Sequence, residues 1–242
     1  MIRSQKKLSE NIQVEEKLSQ SEELLVKYQK TSDWVQQNTR IVIGGAVALV
    51  ALVAGLYIWH SKQVENNEHA EAMLSRIAPF YQSGDWRKAI DGDLKDKRQG
   101  EPLMGLKAIA GEYGSTRAGQ VAKLELGNSY YYLGKLDSAL DAYNDASVDG
   151  PVLKAAVESG KATIFEDKGN KAEAAKLFST AASIDKSNPM NGDYSLAAAR
   201  DYVGAGNKEE GIKVYRRILG DFAGTQFDDA AKRELLKLGV TL

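Results

Sequence analysis

The sequence predicts an all-α protein, a single transmembrane helix followed by a helical-repeat solenoid, and three observations carry that prediction. The first is a recurring signature. An aromatic, a Gly four residues on, a small residue five further and an aromatic four beyond occur as Tyr130, Gly134, Ala139, Tyr143, then Phe165, Gly169, Ala174, Phe178, then Tyr202, Gly206, Gly211, Tyr215. The shifts of 35 and 37 residues, with Gly separating two stretches of helical spacing, are what a helix, turn, helix repeat requires. The second is Ile41 to Trp59, nineteen residues without a charge and with only the Tyr57 hydroxyl as a polar side-chain group. The third is composition. The 242 residues hold no cysteine and carry a net charge of -1.

From the N-terminus, residues 1–40 form a polar tail with seven Lys or Arg and six acids. Val14, Leu18, Leu25 and Tyr28 follow coiled-coil-like intervals, interrupted by Ser21, which fits either a short partner-dependent helix or a loosely helical spacer. Residues 41–59 span roughly 28 Å as a helix, close to the hydrocarbon thickness of a bilayer. Arg40, Tyr57, Trp59, His60 and Lys62 suit its two interfaces. Gly44, Ala48, Ala51 and Gly55 are spaced four, three and four, so they share a face on which another helix can pack; Gly and Ala are also common in membrane helices generally. Near the span, Lys27, Lys30 and Arg40 on one side outnumber Lys62 and Arg76 on the other. The positive-inside rule therefore puts the tail in the cytoplasm and the repeats outside.

Residues 60–242 are expected to be the repeat domain. Phe80, Gly84 and Ala89 form a degenerate first unit at about 65–95, and the polar run Asp91 to Glu101 reads as a loop before the next. Pro102 suits the start of a short helix with Leu103, Leu106, Ile109 and Ala110 on one side, ending at Gly111 or Gly114. Clear repeats cover about 120–222. Ala231, Leu235 and Leu238, at helical spacing, mark a capping helix at about 226–239, which a solenoid needs where stacking stops.

The repeat signature resembles the tetratricopeptide repeat. Leu126-Gly127, Tyr130, Gly134, Ala139, Tyr143, Ala146 and Pro151 carry the likeness through one full unit. In the second unit Lys161 stands at the Leu position and Pro189 arrives three residues late; the third has no closing Pro. The resemblance implies that the first helix of each unit lines a concave protein-binding groove. Here that groove would contain Leu124, Asn128, Tyr131 and Tyr132, then Thr163 and Glu166, then Leu196 and Arg200. Tyr130 already occupies the packing position, which leaves Tyr131 and Tyr132 to meet a partner; the competing use is packing of one ring against the helix around Leu103 to Ile109. Of the side chains with which some members of the family clamp a terminal carboxylate, only Asn128 is present.

Composition and spacing narrow the chemistry. With 25 basic and 27 acidic residues beyond the span, there is no electrostatic footprint for nucleic acid. The absence of cysteine excludes disulfides, thiolate metal sites and thiol nucleophiles. His60 and His69, the two histidines, lack the further ligands a metal site needs. Ser159-Gly160-Lys161-Ala162-Thr163 has a phosphate-loop look, but it lies inside a repeat helix with no strand before it and no free amides. Glu209-Glu210 and Asp228-Asp229 fit solvated helix faces better than an acid-base pair. No enzyme, cofactor, metal or small-molecule substrate is expected.

The layout of tail, single span and repeat domain is similar to the ancillary Sec translocon subunit family of bacterial inner membranes. Ala89-Ile90-Asp91-Gly92-Asp93 and Glu112-Tyr113-Gly114-Ser115-Thr116-Arg117-Ala118-Gly119 resemble membrane-anchored tetratricopeptide proteins of Bacteroidetes and green sulfur bacteria. The resemblance implies a single-pass inner-membrane protein with its repeats in the periplasm. It would be a scaffold that assists a translocon or periplasmic chaperone with emerging or secreted proteins. The alternative is a structural or assembly subunit of another inner-membrane complex. Either role makes other proteins and the lipid bilayer its partners.

Overall fold

A computed structural model describes residues 27–98 and 100–241. The expected tail contacts of Val14, Leu18 and Leu25 lie outside the described residues, and Tyr28 is exposed. The chain divides into two compact units between Ser61 and Lys62.

In the first unit, the apolar span belongs to helix α1, Thr39–Gln82. Ile43, Val47, Leu49, Val50, Leu52, Val53, Leu56 and Ile58 are all exposed, so an unbroken apolar surface runs around this part of the helix. α1 is long and apolar enough to cross a membrane. The expected boundary near residue 60 is not a helix end. The same helix continues into the second unit, where Ala70 and Ile77 are buried.

The second unit is a helix, turn, helix solenoid built from the end of α1 followed by α2 (Trp86–Asp91), α3 (Leu106–Glu112), α4 (Arg117–Tyr132), α5 (Leu136–Asp145), α6 (Pro151–Asp167), α7 (Lys171–Ile184), α8 (Asn191–Gly204), α9 (Lys208–Asp221) and α10 (Gln226–Lys237). Four turns close identically. The backbone N–H of Asp85, Lys135, Asn170 and Asn207 donates to the carbonyl of Phe80, Tyr130, Phe165 and Tyr202 at 2.8 to 2.9 Å. The Gly before each donor, Gly84, Gly134, Gly169 and Gly206, has φ between 72° and 86°. That left-handed conformation is strained for residues with a Cβ, so Gly recurs there. The degenerate first unit thus shares the turn of the three clear ones.

Helix crossings use small residues. Ala139 and Ala174 are completely buried. A Cβ on Gly127 would lie 2.7 Å from the Tyr143 ring and one on Gly160 2.5 Å from it. One aromatic therefore fills the space between α4, α5 and α6 because two helices present no side chain there. The C-terminal helix α10 has Ala231 and Leu235 buried, with Leu238 against the last cluster.

Two expectations fail between α2 and α4. The polar run is a two-stranded antiparallel hairpin, β1 (Gly92–Arg98) with β2 (Glu101–Met104), and it contains an irregularity between Asp93 and Lys97. Pro102 and Leu103 lie in β2, so the following helix starts at Leu106 instead. Close backbone contact between Gly92 and Gly105 pins the base of the hairpin; a Cβ on either would collide with the backbone facing it. Leu103 is completely buried, in one cluster with Ile77, Ile90, Leu106 and Ile109. This tertiary anchor, absent from the local polarity pattern, selects a paired ribbon over a loop.

Candidate interaction face

The first helices of successive units place the candidate residues in a row. At its start, the Asn128 amide donates to the Tyr81 hydroxyl at 2.7 Å and accepts from the Tyr143 hydroxyl at 2.6 Å. Asn128 therefore braces α1, α4 and α5. This expected groove residue spends its amide within the fold. Leu124 is likewise buried, with Tyr143, Val157 and Ile164.

The tyrosine pair divides its labour. Tyr131 is half-buried against the Leu124, Tyr143 and Ile164 cluster, and burial together with the Asp167 carboxyl pushes its hydroxyl up to about 12. Tyr132 is 62% exposed. One face of its ring stacks on Trp86, centroids 4.5 Å apart and planes 10° apart, and Trp86 meets Tyr81 edge-on at 5.5 Å. Such pairs hold their rings at fixed angles. The packing surface around Leu103 and Ile109 is met by Tyr130 rather than by either neighbour.

Further along the row, the Thr163 hydroxyl donates to the Ser159 carbonyl one turn back at 3.0 Å. Glu166 accepts from Arg200 at 2.9 Å, linking α6 to α8. That bridge is partly exposed and contributes of order 0 to 1 kcal/mol, so a partner can replace either half. Next to Arg200, Asp201 is 1% exposed, and desolvation lifts its carboxyl to about 6. Leu196 packs with the last cluster. Glu125, one turn before Asn128, is raised by burial to about 7. The row thus offers an exposed aromatic shelf followed by carboxylates and one guanidinium.

Four members of this face escaped the sequence reading: Tyr81, Trp86, Glu125 and Asp167. A signal existed for two of them. Phe80-Tyr81 precedes Tyr130-Tyr131 by the same 50 residues that relate the turns, and Asp167 follows Tyr132 by the 35-residue shift. Nothing in the local sequence pairs Trp86 with Tyr132. Asp228, considered as half of an acidic pair, is structural: its carboxylate accepts from the Gly224 N–H and the Lys232 ammonium, each at 2.9 Å, and these bonds hold its pKa below the usual range.

On α1, Cβ positions at Gly44 and Gly55 would meet nothing, and Ala48 and Ala51 are exposed, so the small-residue stripe is open within the chain.

The tetratricopeptide repeat family profile matches residues 124–189. Among solved structures, the chain is similar to nearly identical tetratricopeptide-like repeats from a chain designated a kinesin light chain of Podosopora anserina. That likeness has TM-score 0.52 and 16% identity, covering 71% of this chain and 85% of that one. A singly substituted form of those repeats gives the same figures. No curated protein matches. The likeness establishes a tetratricopeptide-like helical solenoid, and such repeats are protein-interaction scaffolds.

Proposed function

We propose that the protein is a membrane-anchored scaffold that holds a segment of another protein along the row of first helices. The observation that carries this reading is Tyr132. A large ring packed by Trp86 and Tyr131 yet 62% exposed binds a partner at little cost in side-chain entropy. Glu166, Asp167 and Arg200 supply polar contacts beyond it, while Asn128 and Tyr131 set the geometry from below. The exposed apolar surface of α1 supports an anchor in the bilayer, and Gly44, Ala48, Ala51 and Gly55 offer a partner helix a close approach within it.

The excess of Lys and Arg before the span favours a cytoplasmic N-terminus and a periplasmic repeat domain in a bacterial inner membrane. With the similarity of layout noted above, this supports service to a translocon or periplasmic chaperone handling emerging chains.

The decisive experiment places a photocrosslinker at Tyr132 in the full-length protein in membranes and at exposed Leu236 on α10 as a control. Adducts specific to position 132, lost on Trp86→Ala, are the expected result. Equal labelling at both positions would refute the assignment of the face. A reporter fused after Leu242 tests the placement independently, and activity of a reporter that works only in the cytosol would overturn it.

A further inference from the structure

A cavity of about 410 Å³ opens between α7, α8 and α9, away from Tyr132 and built largely from the second helices. Its size is that of a site for a small ligand or a few side chains. Val214, Ile218 and Phe222 provide an apolar lining on the α9 side. Lys186 and Arg217 also line it, and neither takes part in an ion pair among the described residues.

The acids that could neutralise these cations are outside the lining, paired or outnumbered. Asp185, kept ionised by the N–H and the hydroxyl of Ser187, does not line the cavity, and Glu210 accepts from Lys213. Asp221 is the single carboxylate in the lining. The cavity therefore carries an excess positive charge beside an apolar wall. An Arg fork and a Lys ammonium together favour a carboxylate.

A carboxylate and an apolar group occur together in a peptide containing acidic and apolar residues.

We propose that this cavity is a second peptide-binding site, specific for an acidic segment with an adjacent apolar side chain. Its carboxylate lies between Lys186 and Arg217, and its apolar side chain contacts Val214 and Phe222. The site is separate from the face proposed above and does not depend on it.

The test uses full-length protein in detergent micelles and fluorescein-labelled nonapeptides of Glu, Leu and Gly, or of Lys, Leu and Gly, read by anisotropy. The acidic peptide is expected to bind at least tenfold more tightly than the basic one. Lys186→Ala with Arg217→Ala should weaken it at least tenfold, Val214→Trp should block it by filling the cavity, and Tyr132→Ala should leave it unchanged. Lys186→Glu with Arg217→Glu should reverse the preference, which keeps the outcome independent of any loss in the alanine variant. Equal affinity for the two peptides, an unreversed preference, or loss of binding in Tyr132→Ala would each overturn the assignment.

Discussion

Gly160→Ala tests the packing logic at its tightest point. A Cβ at Gly160 would stand 2.5 Å from Tyr143 Cζ and 2.8 Å from its hydroxyl oxygen, where real Cβ atoms are not found. The ring has little room to withdraw, because Gly127 approaches the same ring from α4 and the hydroxyl is bound to Asn128. Overpacking of this kind costs about 1 to 3 kcal/mol, and breaking the Tyr143 to Asn128 bond adds about 1 kcal/mol. Replacing a mid-helix Gly returns roughly 0.5 to 1 kcal/mol. The net expectation is a loss of about 2 kcal/mol. With a urea slope of about 2 kcal/mol per molar, the midpoint falls by about 1 M. Gly220→Ala in α9 is the control: its Cβ would meet nothing, so only the helix term acts and the midpoint should rise slightly. If Gly160→Ala also raises the midpoint, the ring is not confined and the account of the α4, α5 and α6 junction is wrong.

Three further outcomes are expected. Ala139→Leu and Ala174→Leu, both at completely buried positions, should each destabilise by about 1 to 3 kcal/mol in the same titration; unchanged midpoints at both would refute the repeat register. Glu125 has an ordinary value of 4.5 when unfolded and about 7 when folded, so the folded state holds the proton more tightly. Its favourable contribution is complete below pH 4.5 and is lost as pH rises through 7. Allowing for partial solvent screening, Glu125→Gln should therefore gain about 2 kcal/mol on the parent chain between pH 5 and pH 8, and a difference independent of pH would contradict the burial. In the span, Ala48→Ile with Ala51→Ile preserves apolarity but closes the small-residue face. Membrane insertion should persist while co-purification of the partner helix's protein declines, and full retention of that protein would assign the face to lipid.

The parts of the fold legible in the sequence are those governed by local spacing. Tyr130, Gly134, Ala139 and Tyr143 announce two helices and a turn because helical periodicity and the left-handed turn act within about a dozen residues. Ile41 to Trp59 announces a helix long and apolar enough to cross a membrane, because length and composition alone decide that. The candidate face was only half legible. The repeat register points to Tyr132, Glu166 and Arg200, but it cannot separate an open side chain from one engaged by another helix. Asn128 became a brace because Tyr81, 47 residues earlier, and Tyr143, 15 later, reach it. Tyr132 became a shelf because Trp86 lies beneath it. The hairpin at Gly92–Met104 is the extreme case: its polar residues carry no strand alternation, and Leu103 is buried in a cluster that joins the adjoining helices to Ile77 of α1 and Leu126 of α4. Local periodicity thus determined which segments are helical and where they turn. Tertiary contacts decided which of their side chains brace the solenoid and which remain available to a partner, since that choice depends on neighbours brought together only by folding.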